Sequence, residues 1–394
     1  MKTPVHTLAE DTVKEMIAVR RDLHQHPETA FEEVRTSGIV AERLRALGLE
    51  VRTGIAKTGV LATVRGGRPG KTVLLRADMD ALPIQEENDT PYRSRVNGKM
   101  HACGHDCHTS ILLGVGAQLV HEARDLPGAV TLCFQPAEEC GGGAEGMIAG
   151  GALESPRPDA AFGLHVWQDL DLGLVGVTPG PFMAAVDEFT VTVKGTGAHA
   201  AMPHMGVDPI VCLAHMVTAL QTIASRSASP FAEVVVSVTQ MRAGTAFNIL
   251  PESAWMNGTV RVFDPALWQA LPGHFERIVR GVAAAHACAV EIDFHRFNQP
   301  TVNDPAMAAL AATAAAEVVG ADHVRANIRT MGGEDFSAFL RQVPGCFIAV
   351  GSRNAARGLV HGHHHPRFDV DEACLAIGAE VLLRTTKRFL GAGR

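Results

Sequence analysis

Long apolar runs are missing from this chain. No stretch of about 18 consecutive apolar residues occurs, so the pattern contains no membrane-spanning helix. A basic block is missing too, and the net charge is -7, which argues against nucleic acid or an anionic membrane surface as a partner. Cysteine is sparse, eight in 394 residues, which does not make a disulfide scaffold. Residues 1–15 hold no apolar core of a secretory leader, so a cytoplasmic setting with reduced thiols is expected. Charged residues make up only 20% against 46% hydrophobic, the balance of a soluble globular protein. A chain of 394 residues is too long for one ordinary core, and two domains are predicted.

What the chain does have is concentrated in one stretch, Met100-His101-Ala102-Cys103-Gly104-His105-Asp106-Cys107-His108. Cys103 and His105 stand two apart, so on extended backbone they project to the same side. A thiolate beside an imidazole suits zinc or a neighbouring transition metal. A histidine-rich surface loop with a buried thiol is the plain alternative. The other parts of a metal site appear further along.

In chain order, residues 9–26 predict an amphipathic helix with Val13, Ile17 and Leu23 on one face. Pro27 ends it by disfavouring helical backbone at His26. A second helix is predicted over 31–47, stopped by Gly48. Residues 59–64 and 72–77 are short β-rich runs, the second leading into Arg76-Ala77-Asp78-Met79-Asp80-Ala81-Leu82-Pro83. Asp78 and Asp80 thus stand at the carboxyl end of a strand, where open α/β sheets place their sites. Turn or capping aspartates are the alternative. An apolar helix is predicted over 109–123 and a buried strand over 129–134. That strand runs into Gln135-Pro136-Ala137-Glu138-Glu139 and then Gly141-Gly142-Gly143. On extended backbone adjacent side chains diverge, so one of the two glutamates can bind a metal while the other faces a substrate. A strand over 160–166 carries His165, by itself more often a core residue than a ligand.

The pattern then changes. Strand 186–194, helix 207–226, strands 234–241 and 253–262, helix 265–287 and strand 289–297 follow the ferredoxin-like order β-α-β-β-α-β. The α/β pattern resumes with a helix over 306–318, a strand over 346–351 and a last helix over 370–390. The expected architecture is α/β: a discontinuous domain with a mixed sheet flanked by helices, residues 1–184 and 298–394, interrupted by an α+β insertion at 185–297. Between the last strand and helix lies Leu359-Val360-His361-Gly362-His363-His364-His365-Pro366. It is internal, so it is no purification tag. Taken alone, a His-rich tract is a weak metal signal.

These stretches together resemble the dinuclear metal-dependent amidohydrolases of the aminoacylase and carboxypeptidase clan. The closest branch is that of hippurate hydrolase, N-acyl-amino-acid amidohydrolase and the plant auxin-conjugate hydrolases. The matching stretches include His24-Gln25-His26-Pro27-Glu28, the Asp78/Asp80 run, residues 101–108 and 135–139, and Gly163-Leu164-His165. Further on come residues 195–203, Asn248-Ile249-Leu250-Pro251, Gly332-Gly333-Glu334-Asp335-Phe336 and His364-His365-Pro366. They span nearly the whole chain in the family's order. The resemblance implies metal ligands at Cys103, His105, Glu139, His165 and His364. His364 is chosen over its neighbours His363 and His365 because the branch reads His-x-Pro. Much of the wider clan has a histidine ligand where this chain has Asp78; within the branch the aspartate is usual.

The same resemblance implies Asp80 as an orienting partner of a ligand imidazole and Glu138 as general base. It points to His199 as the oxyanion donor and a substrate contact, with a surface histidine in a turn as the alternative, and to Asn248 as the holder of the substrate carboxylate, with a turn asparagine before Pro251 as the alternative. The insertion becomes a lid that pairs two subunits, giving a homodimer or a dimer of dimers. The cofactors implied are two divalent transition-metal ions, Zn, Mn, Co or Ni. The reaction implied is hydrolysis of an N-acyl amino acid, a small-molecule substrate. A dipeptidase, a carbamoyl-type amidohydrolase or a non-catalytic metal-binding protein on the same fold are the alternatives. A glutamate pair argues against the last, since binding alone needs no base.

Overall fold

Val73, Leu74 and Leu75 are fully buried at consecutive positions, so their strand is covered on both faces, as a central parallel strand is. The structure, a computed structural model, describes residues 8–391. The expectation about a leader rests partly on residues 1–7, outside the described residues. The chain divides into two units. The first takes the chain through Phe182, then Val302–Arg329, then Asp335 onward; the second takes Met183–Thr301 and Thr330–Glu334. Residues 185–297, the expected insertion, fall inside the second unit, which also claims the short segment Thr330–Glu334.

The first unit is built on an eight-stranded mixed sheet. In spatial order its strands are Val51–Ile55, Gly59–Arg65, Pro127–Gln135, Arg68–Asp78, Ala160–Asp171, Gly345–Arg353, Val175–Gly176 and Val324–Arg325. The four central strands run parallel. Helices His105–His121, Ala373–Leu390 and Pro305–Val319 pack against it, and Glu10–Gln25 packs on His105–His121 and Ala373–Leu390. In the strand register, Asp78 pairs with Gln135, and Arg76 pairs with Gly163. Asp78, Gln135 and His165 therefore lie at one level, at the carboxyl ends of neighbouring parallel strands, where such sheets bind ligands.

The second unit has its own core. Its antiparallel sheet runs Val234–Ala243, Ser253–Val262, Ala185–Lys194, Ala289–Asn298, the ferredoxin-like spatial order for a β-α-β-β-α-β chain. Residues alternate between buried and less buried along Ala185–Lys194, the signature of a sheet covered on one face. Helices Pro209–Leu220 and Pro265–Ala285 supply that cover, with Met216 and Phe275 fully buried. Each helix opens on an Asp-Pro pair, the aspartate accepting from backbone N–H groups of the first turn.

Three expectations are corrected. The helix expected over 109–123 is His105–His121, beginning four residues earlier. The one expected over 31–47 starts at Val34, because Phe31 sits at φ 63° and cannot be helical. The one expected over 207–226 begins at Pro209, is α-helical through Leu220 and then continues as a π-helix over Ile223–Ser227, where the Thr222 and Ser225 hydroxyls bond back to the carbonyls of Ala219 and Gln221. Among the described residues no helix is long and apolar enough to cross a membrane.

Candidate metal centre

Cys103 and His105 do not sit on extended backbone. Gly104 between them is at φ 95° and caps the helix that His105 begins. A side chain there would be strained, and its Cβ would lie 2.4 Å from Val166 Cγ2. Only glycine lets the chain turn this tightly against the neighbouring strand. The turn brings Cys103 and His105 to His165, with one donor atom of each within 4.8 Å of the others. Cys103 Sγ is 3.4 Å from His165 Nε2. His165 Nδ1 donates to the Val166 carbonyl at 2.5 Å, which leaves Nε2 as the basic nitrogen facing the thiol.

Glu138 and Glu139 follow the strand Pro127–Gln135 through Ala137, whose φ is 54°. The buried Glu33 carboxylate accepts the Ala137 N–H at 2.9 Å and holds that conformation. The chain then turns, and the backbone N–H groups of Glu138 and Glu139 both donate to Asp80, each at 3.0 Å. Asp80 also accepts from His105 Nδ1 at 3.2 Å. One carboxylate thus orients an imidazole and both glutamates. The expectation that the glutamate side chains diverge is corrected. An oxygen from each lies within 4.8 Å of the other and of a His105 nitrogen, because the segment is a turn and not extended strand.

His364 arrives from the far end of the chain. It sits at φ 65°, donates its N–H to the Ala102 carbonyl at 2.8 Å, and brings Nε2 to 3.3 Å from Glu139 Oε1. Cys103, Glu139 and His364 form a second group of donors within 4.8 Å of one another. The five residues expected as ligands therefore gather as two triplets that share Cys103. His363 turns the other way, and its Nε2 accepts the Gln168 backbone N–H.

The donor set fits divalent transition-metal ions. Two buried ligand atoms, His105 Nε2 and Glu139 Oε1, have no hydrogen-bond partner. Such atoms carry a desolvation cost of about 1–3 kcal/mol each unless something else satisfies them. Negative charge is in excess. Burial, then the Glu139 and Glu138 carboxylates, push the Cys103 thiol well above its ordinary value. Burial lowers His105, but Asp78, Asp80 and Glu139 outweigh it and bring the imidazole to about 10. A largely buried group of carboxylates and a thiol that raises its own acids and bases in this way calls for a cation.

Sequence reasoning gave no role to the residues behind this cluster. His108 donates from Nδ1 to Asp78 at 2.6 Å and accepts the Val166 N–H at Nε2. Both ring nitrogens are occupied, so His108 braces the strand of His165 and has no nitrogen left for a metal. Arg76, fully buried, donates to Asp78, Gln135 and Asp335. The Asp335 N–H lies 3.4 Å from Glu138 Oε1. Beneath the first helical turn, Arg20 and His24 both bind Asp106 Oδ2, at 2.9 and 2.8 Å. An arginine within an otherwise apolar strand was the available signal for the first network; nothing local marks His108 apart from His105.

His199 and Asn248 belong to the second unit, where they come together. Ala198–His199 pairs with Ile249–Leu250, and the Asn248 carbonyl accepts the Ala200 N–H at 3.0 Å. Both residues are exposed. His199 Nδ1 accepts the Ala201 N–H, which leaves the proton on Nε2.

Residues 74–388 match the family described as Peptidase family M20/M25/M40. Among curated relatives, an N-acetylcysteine deacetylase of Bacillus subtilis is 38% identical over 366 residues, covering 93% of this chain and 94% of that protein. An IAA-amino acid hydrolase of Arabidopsis thaliana, ILR1-like 4, is 38% identical over 379 residues, covering 95% and 86%. Among solved structures, the YXEP protein of Bacillus subtilis, a dinuclear metal binding peptidase of the M20 family, superposes with a TM-score of 0.85. Its identity is 34%, covering 98% of this chain and 100% of that one.

Proposed function

This chain belongs to peptidase family M20/M25/M40, and from that premise we propose that it hydrolyses the amide bond of N-acyl amino acids. The acyl group is acetyl, benzoyl or a related aryl-acyl, and the products are a carboxylate and a free amino acid. One observation carries the reading: two donor triplets share Cys103, hold two unsatisfied buried ligand atoms, and lie beside the Glu138 carboxylate.

Cys103, His105, Glu139, His165 and His364 would hold two divalent ions of Zn, Mn, Co or Ni. Bound there, the ions would supply Lewis-acid activation of the attacking water. Glu138 is the base that would take a proton from the attacking water and return it to the leaving amine, which departs poorly unless protonated. The Asp335 N–H at Glu138 Oε1 and the Asp80 grip on the Glu138 backbone keep the base aimed through both transfers. His199, with its proton on Nε2, is the donor for the developing oxyanion, and Asn248 binds the substrate carboxylate. The second unit pairs with its copy to form a dimer. Its sheet ends at the strand Val234–Ala243, an unpaired edge bearing the half-exposed Met241.

The test is turnover by metal-loaded protein of N-acetyl and N-benzoyl amino acids, alongside unblocked dipeptides and N-carbamoyl amino acids, with and without chelator. Chelator-sensitive release of free amino acid from the first two is expected. Activity on dipeptides or N-carbamoyl substrates alone would transfer the chain to a neighbouring specificity. Full metal content with no turnover of any of them would leave a binding protein.

A further inference from the structure

We propose that Cys212 and Cys288, in the second unit, are a redox-modifiable pair that closes to a disulfide when the protein meets hydrogen peroxide. Cys212 lies in the first turn of the helix Pro209–Leu220 and is buried; Cys288 follows the helix Pro265–Ala285 and is half-buried. Each thiol reaches the other's helix. Cys288 Sγ is 3.9 Å from the carbonyl of Asp208, the residue capping the Cys212 helix. Cys212 Sγ is 4.0 Å from the Val282 carbonyl on the other helix. Cys288 is close enough to Cys212 to raise its thiol. Nearby along the same helix, His215 Nδ1 and His286 Nε2 are 2.8 Å apart. These side chains join the two helices over the sheet.

Metal binding is the competing use of two thiols and two imidazoles. Among the described residues, no three donors of this set converge within 4.8 Å as those around Cys103 do. Bond formation between the sulfurs needs only these two neighbouring thiols. The half-exposed Cys288 meets the oxidant first. Its thiolate attacks one peroxide oxygen, the O–O bond breaks, and a sulfenic acid and water result. The Cys212 sulfur then attacks the sulfenic sulfur, the S–S bond forms and a second water leaves. Two thiols lose two electrons and two hydrogens; the peroxide takes them. Burial and the neighbouring Cys288 hold the Cys212 thiol up at about 12, which makes the second step, and with it the closure, slow.

The bond would close a loop of about 75 residues, a length at which a cross-link restricts the unfolded chain strongly. It would also brace the start of the Cys212 helix, where Val207 pairs with Thr196 across the loop that carries His199. The test uses the full-length, metal-loaded protein treated with stoichiometric hydrogen peroxide, then alkylated and mapped by peptide mass. Expected are a cross-linked 212/288 peptide pair reversed by reductant and a melting temperature several degrees higher. The upward shift should be absent in Cys288→Ser and kept in Cys140→Ser, which removes the exposed thiol of the first unit. Cys288 oxidised to sulfinic acid with Cys212 still alkylatable would overturn the proposal, as would a disulfide to any other cysteine or both thiols left intact. The mapping needs no variant, so a misfolded substitution cannot leave the question open.

Discussion

Around Cys103, thiol and imidazoles are sunk among Asp80, Glu138 and Glu139, and two of the converging atoms have no partner. Around Cys212, the neighbours are a second thiol, backbone carbonyls and a pair of imidazoles that bond each other. The residue types are the same; the chemistry differs because of what surrounds them. Buried carboxylates leave the first cluster short of positive charge, and its unsatisfied atoms carry a cost that a cation removes. The second cluster satisfies itself and has no such deficit. Cysteine and histidine in proximity are therefore not a metal site until the surroundings leave them wanting one.

The contrast breaks most sharply at the glutamates. Glu138→Gln should keep the metals and the fold and lower turnover at least 10²–10⁴-fold, the usual contribution of a positioned base. Glu139→Gln should instead lose metal. Steady-state kinetics with elemental analysis of both variants checks this, and the opposite pattern would exchange the two roles. Next in size is the metal itself. Cys103→Ala should remove most bound metal after dialysis, since that sulfur belongs to both triplets, whereas Cys212→Ala should leave the content unchanged. Equal losses would mean that the surroundings do not discriminate between the two clusters.

A third experiment concerns His199. If it serves a partner subunit, mixing Glu138→Ala and His199→Ala chains should restore activity to about a quarter of wild type. About half the dimers are then mixed, each with one intact site. No recovery, with subunit exchange demonstrated, would assign His199 to its own chain or to no catalytic role.

The smallest effect lies under the metal turn. Burial and Arg20 lower the His24 pKa, but Asp106 and Glu86 raise it more, to about 8 from an ordinary 6.5. A raised folded pKa means stability that is complete below about pH 6.5 and lost as pH rises through about 8. The shift corresponds to about 2 kcal/mol. Chemical denaturation of wild type and His24→Asn between pH 6 and 9 should show the gap between them narrowing by that amount; a constant gap would remove His24 as the titrating group.

Much of this was legible in the sequence. Continuous apolar runs such as Val73-Leu74-Leu75 marked central strands, and the alternation over 186–194 marked a one-faced sheet. The five residues the family pattern pointed to, His364 among them, are among the donors that converge, and Asp78, His108, Glu138, Glu334 and Asp335 converge with them. The start of the metal-bearing helix was not legible, because it depends on how closely Gly104 approaches Val166 on another strand. Nor was the grip of Asp80 on two backbone N–H groups 58 and 59 positions away. His105 and His108 look alike in sequence. One keeps a bare buried nitrogen and the other spends both.

The sequence by itself determined the periodicities, the order of strands and helices, and which residues carry metal-seeking or proton-moving groups, because these are properties of side chains and of short spans of backbone. Only the tertiary structure decided which of those groups share a site. Convergence depends on register between strands and on turns such as Gly104, Ala137 and His364, whose positive φ values are held by contacts with distant parts of the chain. A donor's role follows from the hydrogen bonds it is left without, and that is known only once the rest of the chain has packed around it.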